Sequence, residues 1–247
     1  LIEKPICEPS IKNVKKLKKI ILSNKLKIFL CGYNHRLFPS TQKFKKILNK
    51  NNFNYLNVNF KENTSGFLKA HSWYKDLSES YLSKQNKGGG SLCEHSHALN
   101  LAQYFSDEFK KAKLIHKFIK YEKNKKNNYD SSASVFFQSK NKVVEVNQNF
   151  ETSPTEKSII ADSTKFYLKL VYNYENNNVF LFFINKKTKN KKIFFFKKKR
   201  TDDFQYEANY LRKIIKAKNL IDAKKISQTL DAKNAIKTME IICNIIK

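Results

Sequence analysis

Residues 166–196 read FYLKLVYNYENNNVFLFFINKKTKNKKIFFF, and this pattern predicts a β-sheet. Three runs are rich in β-branched and aromatic residues, which favour strands: Phe166 to Tyr174, Val179 to Asn185 and Ile193 to Phe196. Polar turn segments separate the runs, Glu175 to Asn178 and Lys186 to Lys192. Because short turns join consecutive antiparallel strands, we expect a β-meander at about 165–196.

Upstream of the meander, the first 60 residues predict the order helix, strand, helix, strand. Pro9 and Ser10 precede a basic amphipathic helix that ends near Leu22. Residues 25–33 alternate lysine with apolar residues and predict a half-buried strand. A helix is expected from Pro39 to about Lys50, and the strict alternation at 54–60 predicts the next strand.

The middle of the chain has a different character. Apolar residues at helical spacing predict one long helix at about 96–122. The low-complexity segment 122–134 is expected to be a loop or linker. Gly88–Gly90 predicts a flexible joint, because glycine adds little backbone restriction.

Composition points to a folded protein that binds polyanions. The 247 residues contain 49 Lys+Arg and 21 Asp+Glu, a net charge of +28, with 40% hydrophobic residues. Residues 1–60 and 165–200 carry 21 of those 28 charges. The abundance of lysine, asparagine and phenylalanine is typical of an AT-rich genome. Four scattered cysteines favour a reducing compartment, and apolar runs far shorter than about 20 residues predict no transmembrane helix and no membrane partner.

No motif predicts catalysis. Cys93, His95 and His97, with His71 upstream, could ligate zinc, but their spacing matches none of the usual patterns, so a surface loop is the favoured interpretation. Gly88–Gly90 lacks the Lys-Ser/Thr pair of a phosphate-binding loop. Carboxylates near residue 203 have no histidine close by in the sequence to form a nucleophile-base pair.

Two segments resemble the small-subunit ribosomal protein S-ten family. Residues 27–37 (KIFLCGYNHRL) are similar to its first strand and turn, and Lys43 fits the helix that follows. Residues 205–215 (QYEANYLRKII) are similar to its third strand, and a helix at 222–231 and a strand at 235–245 then close the chain as in the family. The resemblance implies an α+β fold: a ferredoxin-like βαββαβ core with a long helix-and-strand insertion between the second and third core strands.

This fold predicts three parts. Residues 1–24 are an N-terminal basic helical extension, residues 25–61 and 193–247 form the discontinuous ferredoxin-like ribosomal core, and residues 62–192 are the insertion. The insertion falls at the tip of a hairpin, where added residues disturb the core least.

Resemblance and charge together predict a structural protein in the head of the mitochondrial small ribosomal subunit, with no enzyme activity, cofactor or metal. Its expected partners are small-subunit ribosomal RNA, neighbouring head proteins and, through the insertion, a lineage-specific mitoribosomal protein. Basic groups near the first and third strands would neutralise RNA phosphates. They are Lys25, Lys27, His35, Arg36, Lys43, Lys197, Lys198, Lys199, Arg200, Arg212 and Lys213.

Two alternatives fit the same composition. One is a non-ribosomal organellar factor that binds or processes RNA, and the other is a basic accessory subunit of an organellar membrane complex. Sedimentation of an organelle lysate distinguishes them, because only a ribosomal protein migrates with the small subunit and leaves it at high salt.

Overall fold

A mixed sheet flanked by helices organises the chain in the computed structural model. The structure describes residues 1–24, 26–106, 112–122, 127–139, 141–199 and 201–246. The strands are β1 (Tyr55–Lys61), β2 (Ala112–Glu122), β3 (Asn127–Ser139), β4 (Lys142–Asn149), β5 (Glu156–Asp162), β6 (Phe166–Asn173), β7 (Asn178–Asn185) and β8 (Lys191–Lys197). The helices are α1 (Ile11–Ser23), α2 (Pro39–Leu48), α3 (Thr64–Ala70), α4 (Ser91–Glu94), α5 (Ser96–Ser106), α6 (Asp202–Ile215), α7 (Leu220–Ser227) and α8 (Ala232–Ile246). None of the helices in these ranges is long and apolar enough to cross a membrane.

The meander predicted from the sequence is present as β6, β7 and β8. Both pairings are antiparallel, with Leu168 opposite Phe183 and Leu181 opposite Phe194. Alternate residues of β6 are buried, among them Leu168 and Leu170, because successive side chains of a strand point to opposite faces of the sheet. One face of the meander therefore joins the core.

Strand β1 holds the middle of the sheet, whose order is β2-β3-β4-β1-β5-β6-β7-β8. It pairs in parallel with β4 and antiparallel with β5. Leu56, Val58 and Phe60 are fully buried on its inner face, which α5 covers. Phe44 of α2 meets Phe105 of α5 there, with ring centroids 4.8 Å apart. Each such buried side chain contributes roughly 1.5–3 kcal/mol, so this apolar layer is a main source of stability.

The first 35 residues form a small parallel unit. Ile2 lies beside Cys31 in a parallel bridge, and the Ile2 N–H donates to the Leu30 carbonyl at 2.9 Å. Helix α1 makes the crossover between the two segments, as parallel pairing requires, and packs on α8. Because the segments run in the same direction, the residues that follow them, Lys4 and His35, leave the unit at the same end.

This architecture contradicts the ferredoxin-like core with an insertion. Strand β1, expected as the second strand of a small core, lies between β4 and β5, which both come from residues 62–192. The described part of the expected first strand, 25–33, contributes only isolated bridges to pairing. The expected strands at 205–215 and 235–245 are the helices α6 and α8.

Helical spacing explains the difference at the C-terminus. Helix α8 buries residues three or four apart, which form one face of a helix: Ala235, Ile236, Met239, Ile242 and Cys243. At 96–122 one long helix was expected and part of the segment is a strand instead: α5 ends at Ser106 and β2 begins at Ala112. Strand β2 lies at the edge of the sheet and leaves Ile115 and Phe118 half exposed, so its apolar spacing does not mark a buried helical face.

Candidate functional site

A cavity of about 530 Å³ opens at the end of the sheet where β1 and β8 finish and β5 begins. One wall comes from the segment 62–82, which follows β1. The other sides come from His35, from the junction of α4 and α5, and from the ends of strands β5, β6 and β8. A cavity of this size holds a small organic molecule.

An ion pair joins the N-terminal unit to this cavity. Lys4 Nζ donates to Glu94 Oε2 at 3.0 Å and to the Glu94 backbone carbonyl at 2.9 Å. Tyr81 Oη donates to the same carboxylate at 2.8 Å. Burial opposes ionisation of Glu94, but the Lys4 ammonium outweighs it and lowers the pKa of that carboxyl to about 2. An ammonium group has three N–H donors, so Lys4 has one more than its two contacts with Glu94 use.

Three histidines lie beside the ion pair. The rings of His35 and His97 are 4.4 Å apart between centroids, and His95 packs edge-on against Phe150 at 5.2 Å. Burial, helped by the Lys157 ammonium, lowers the pKa of His95 from 6.5 to about 4. Burial also holds the pKa of His35 and of His97 well below 6.5. All three imidazoles are therefore neutral at pH 7.

Each of these imidazoles has an unused nitrogen. Among the described residues, His35 Nδ1, His95 Nε2 and His97 Nδ1 are buried and have no hydrogen-bond partner. Buried polar atoms are nearly always paired, so this cluster is prepared for a ligand or for proton transfer. His35 and His95 are buried and line the cavity, and His97, which contacts His35, is the one of the three that is partly exposed.

Two more ion pairs lie across the cavity. Lys157 Nζ is 2.8 Å from Glu62, and Lys198 Nζ is 2.9 Å from Asp203. Both ammonium groups approach the ring of Tyr174, at 4.9 and 5.6 Å from its centroid. Together with the Lys4–Glu94 pair, the described residues of the site contribute three cations and three anions. These charges balance although the chain as a whole carries +28.

The glycine-rich segment fixes the position of this chemistry. Gly88–Gly90, expected as a flexible joint, is a packed turn with φ of 86° and 85° at its first and third residues. A side chain on the middle glycine would collide with the Tyr81 carbonyl. Asp130 accepts hydrogen bonds from Ser91 Oγ at 2.6 Å and from the Leu92 N–H at 2.8 Å, and so holds the start of α4. The turn thereby orients Glu94 and His95.

Two of the residues expected to bind RNA are buried. His35 lines the cavity, and Arg36 is 3% exposed. The Arg36 guanidinium donates to Asn100 Oδ1 at 2.5 Å, to the Asn100 carbonyl at 3.0 Å and to the Thr229 carbonyl at 3.2 Å. These contacts stabilise the junction of α5 with the C-terminal helices.

The remaining expected RNA-binding residues are scattered. Lys198 belongs to an ion pair of the cavity, and Lys43 Nζ lies 4.6 Å from the centroid of the Phe194 ring. The exposed members are Lys27, Lys197, Lys199, Arg212 and Lys213. Lys25 and Arg200 lie outside the described residues.

Most residues of the site were either assigned no function from the sequence or not noticed in it. His95 and His97, assigned to a surface loop, flank the start of α5, and Cys93 is fully buried. Within the described ranges, no three His, Cys, Asp or Glu side chains are grouped so that they could hold a metal ion. Lys4 and Glu94 were missed because 90 residues separate them. The only available signal was the close grouping of an acid and two histidines before a helix.

No family model matches the sequence, and no curated protein matches it. Solved structures do match the fold. An inositol dehydrogenase homolog complexed with NAD⁺ from Azotobacter vinelandii is 12% identical with a TM-score of 0.70, and the match covers 98% of this chain and 68% of that one. A 3-ketoreductase from Actinomadura kijaniata in complex with NADP and TDP-benzene is 8% identical, with a TM-score of 0.66 and coverage of 98% and 68%. UDP-N-acetylglucosamine 3-dehydrogenase from Acidithiobacillus ferrooxidans is 12% identical, with a TM-score of 0.64 and coverage of 99% and 68%.

These neighbours are NAD(P)-dependent oxidoreductases of the Gfo/Idh/MocA family. The chain has their fold and spans about two thirds of their length. The comparison overturns the resemblance to the S-ten family and the expected structural role in the ribosome. The expected absence of enzyme activity is wrong by the same comparison, as are the expected RNA and ribosomal protein partners. Both segments that carry the resemblance were expected to contain core strands. Residues 27–37 are largely a short extended segment and a buried turn, and residues 205–215 are a helix.

Proposed function

We propose that these residues form the substrate-handling part of an NAD(P)-dependent oxidoreductase, which interconverts a hydroxyl and a carbonyl group on a polyhydroxylated compound. One observation carries the proposal. Glu94, which is paired with Lys4, lines one cavity together with His35 and His95, and His97 contacts His35; all three histidines are neutral and have unused nitrogens. The neighbours with the same fold are named as dehydrogenases or reductases, which supports this reaction class.

The residues fit the proton chemistry of such a reaction. Oxidation of an alcohol needs a base for the hydroxyl proton, and neutral His97, through a ring nitrogen, accepts it. The free N–H of the Lys4 ammonium donates to the same substrate oxygen and stabilises the negative charge that develops there. Glu94 holds the ammonium in position through two contacts. In the reverse direction protonated His97 returns the proton to the carbonyl oxygen.

The residues fit the nicotinamide end of a nicotinamide dinucleotide but not its pyrophosphate. Lys4 and His35 follow a parallel pair of segments at their carboxyl ends, where open α/β sheets bind nucleotides. A bound nicotinamide there would supply or accept the hydride. The pyrophosphate needs a G-x-G-x-x-G turn, which the five glycines of this sequence do not form. The packed turn at Gly88–Gly90 leaves no room for a phosphate. We therefore expect the phosphates to be held by protein outside these 247 residues.

Charge favours an uncharged substrate. Within the part of the chain that the structure describes, the three ammonium groups of the site each face a carboxylate, so none of them is left over for a phosphate or a carboxylate of the substrate. Ammonium groups donate and carboxylates accept hydrogen bonds, and both partners suit hydroxyl groups. A neutral sugar or polyol meets these requirements.

The test is a turnover assay of the natural full-length protein with NAD⁺ or NADP⁺ and a panel of sugars and polyols. We expect reduction of one cofactor with at least one neutral polyol. Lys4→Ala and His97→Ala should each lower kcat by about 10²–10⁴, the usual contribution of a positioned acid or base.

Lys197→Ala is the matched control, because Lys197 is exposed and lies outside the cavity, so its kcat should stay within a factor of two. Absence of turnover with both cofactors across the panel contradicts the proposal. Equal kcat values for the wild type and the two site variants contradict the assigned roles.

A further inference from the structure

The only tryptophan of the chain, Trp73, is exposed beside the cavity. Trp73 is 69% exposed, which is unusual for the largest apolar residue type. Its ring meets the ring of His71, a cavity-lining residue, with centroids 4.9 Å apart and planes at 81°. The Tyr74 ring also contacts the indole, with centroids 5.9 Å apart, and most of the Trp73 surface remains open to solvent.

A series of aromatic rings leads from the reacting groups to Trp73. Tyr81, which donates to Glu94, packs edge-on against Phe67 at 6.1 Å. Phe67 stacks on His71 at 4.0 Å with planes 20° apart. Trp73 follows as the next ring. The cavity wall is thus an aromatic surface that extends from the ion pair towards solvent.

The aromatic wall of the cavity is held in place by buried apolar contacts and by a hydrogen bond. Leu77 and Leu82 are buried in a small core of their own with Tyr129 and Phe150. A ring nitrogen of His71 is hydrogen-bonded to a backbone carbonyl four residues earlier, at 2.9 Å. A ligand would therefore meet Trp73 in a prearranged position, without the cost of ordering the wall.

We propose that Trp73 forms an outer subsite, which stacks on a second ring of the substrate while the first ring reacts near Lys4 and His97. This rests on the proposed function and adds the substrate class: a neutral two-ring polyhydroxylated compound, a disaccharide or glycoside, in place of a free monosaccharide. The C–H face of a sugar ring is apolar and buries against an aromatic surface. The charges of the cavity are already balanced, so the second ring of the substrate does not need to carry a charge.

Fluorescence tests this directly, because Trp73 is the only indole of these 247 residues, and the emission change that is lost in Trp73→Phe belongs to it. The protein is titrated with glucose and myo-inositol as single-ring probes, and with maltose and cellobiose as two-ring probes, while calorimetry records binding. We expect at least one two-ring probe to shift the emission to shorter wavelength and to bind roughly tenfold tighter than the single-ring probes.

Trp73→Ala should remove that tenfold preference and leave single-ring binding within a factor of two, and Trp73→Phe should retain part of it. Phe118→Ala, which removes a half-exposed ring from the edge strand β2, is the matched control and should change neither affinity. Binding of both probe classes with equal affinity and unchanged emission overturns the outer subsite and leaves the proposed function standing. Absence of binding by every probe overturns both.

Discussion

Acidification should destabilise the folded protein because His95 is buried as a neutral imidazole. Its pKa is about 4 in the folded chain, against an ordinary value of 6.5. Between these values the unfolded chain binds a proton that the folded chain does not, so stability falls as the pH falls. A difference of 2.5 pKa units corresponds to about 3 kcal/mol, nearly all of it lost between pH 7 and pH 4.

The assay is urea denaturation at several pH values for the wild type and His95→Gln. The variant cannot charge at this position, so its free energy of unfolding should fall by about 3 kcal/mol less over the same range. Asp130 acts in the opposite direction, since burial raises its pKa to about 6 and stability is lost as the pH rises towards that value. Because Asp130 is present in both proteins, its effect cancels in the difference. Equal pH dependence of the two proteins would refute the buried neutral imidazole.

Three further predictions concern stability, each measured as the change in free energy of unfolding in urea. Asp130→Ala should lower the free energy of unfolding by about 3 kcal/mol, because the buried Leu92 N–H and the Ser91 hydroxyl lose their acceptor. A loss under 1 kcal/mol would contradict the role of Asp130 in holding the start of α4. Gly89→Ala should lower the free energy of unfolding by at least as much, because the added methyl group collides with the Tyr81 carbonyl. An unchanged free energy of unfolding would contradict the close packing of this turn. Arg36→Lys should cost about 2 kcal/mol, because an ammonium cannot reproduce three guanidinium contacts; exposed Lys27→Ala is the control.

The sequence was informative where the burial pattern is local. The meander strands and β1 were predicted because their apolar residues alternate along a face that the fold buries. Helices α1 and α2 were predicted from apolar spacing after proline or serine. At 204–215 the helical spacing of Glu207, Tyr210, Leu211 and Ile214 was available, but the resemblance to a strand of another family outweighed it.

The site could not be predicted because it is assembled by distant parts of the chain. Lys4 gains its role from Glu94, and Lys157 from Glu62, and both contacts depend on the topology of the sheet. Among so many lysines neither one is distinctive in the sequence. The histidines at 95 and 97 were noticed, but their burial, which keeps them neutral, is a property of the fold. The mitochondrial location was predicted from composition together with the family resemblance, and it stays a prediction.

Deuterium transfer tests the central claim most directly. The natural full-length protein is incubated with NADH or NADPH that carries deuterium at the transferred position, together with an oxidised, ketone-bearing sugar. We expect carbon-bound deuterium in the alcohol product, formed about 10²–10⁴ times more slowly by His97→Ala. A product without the label, or equal rates of labelling for the wild type and His97→Ala, would contradict the central claim.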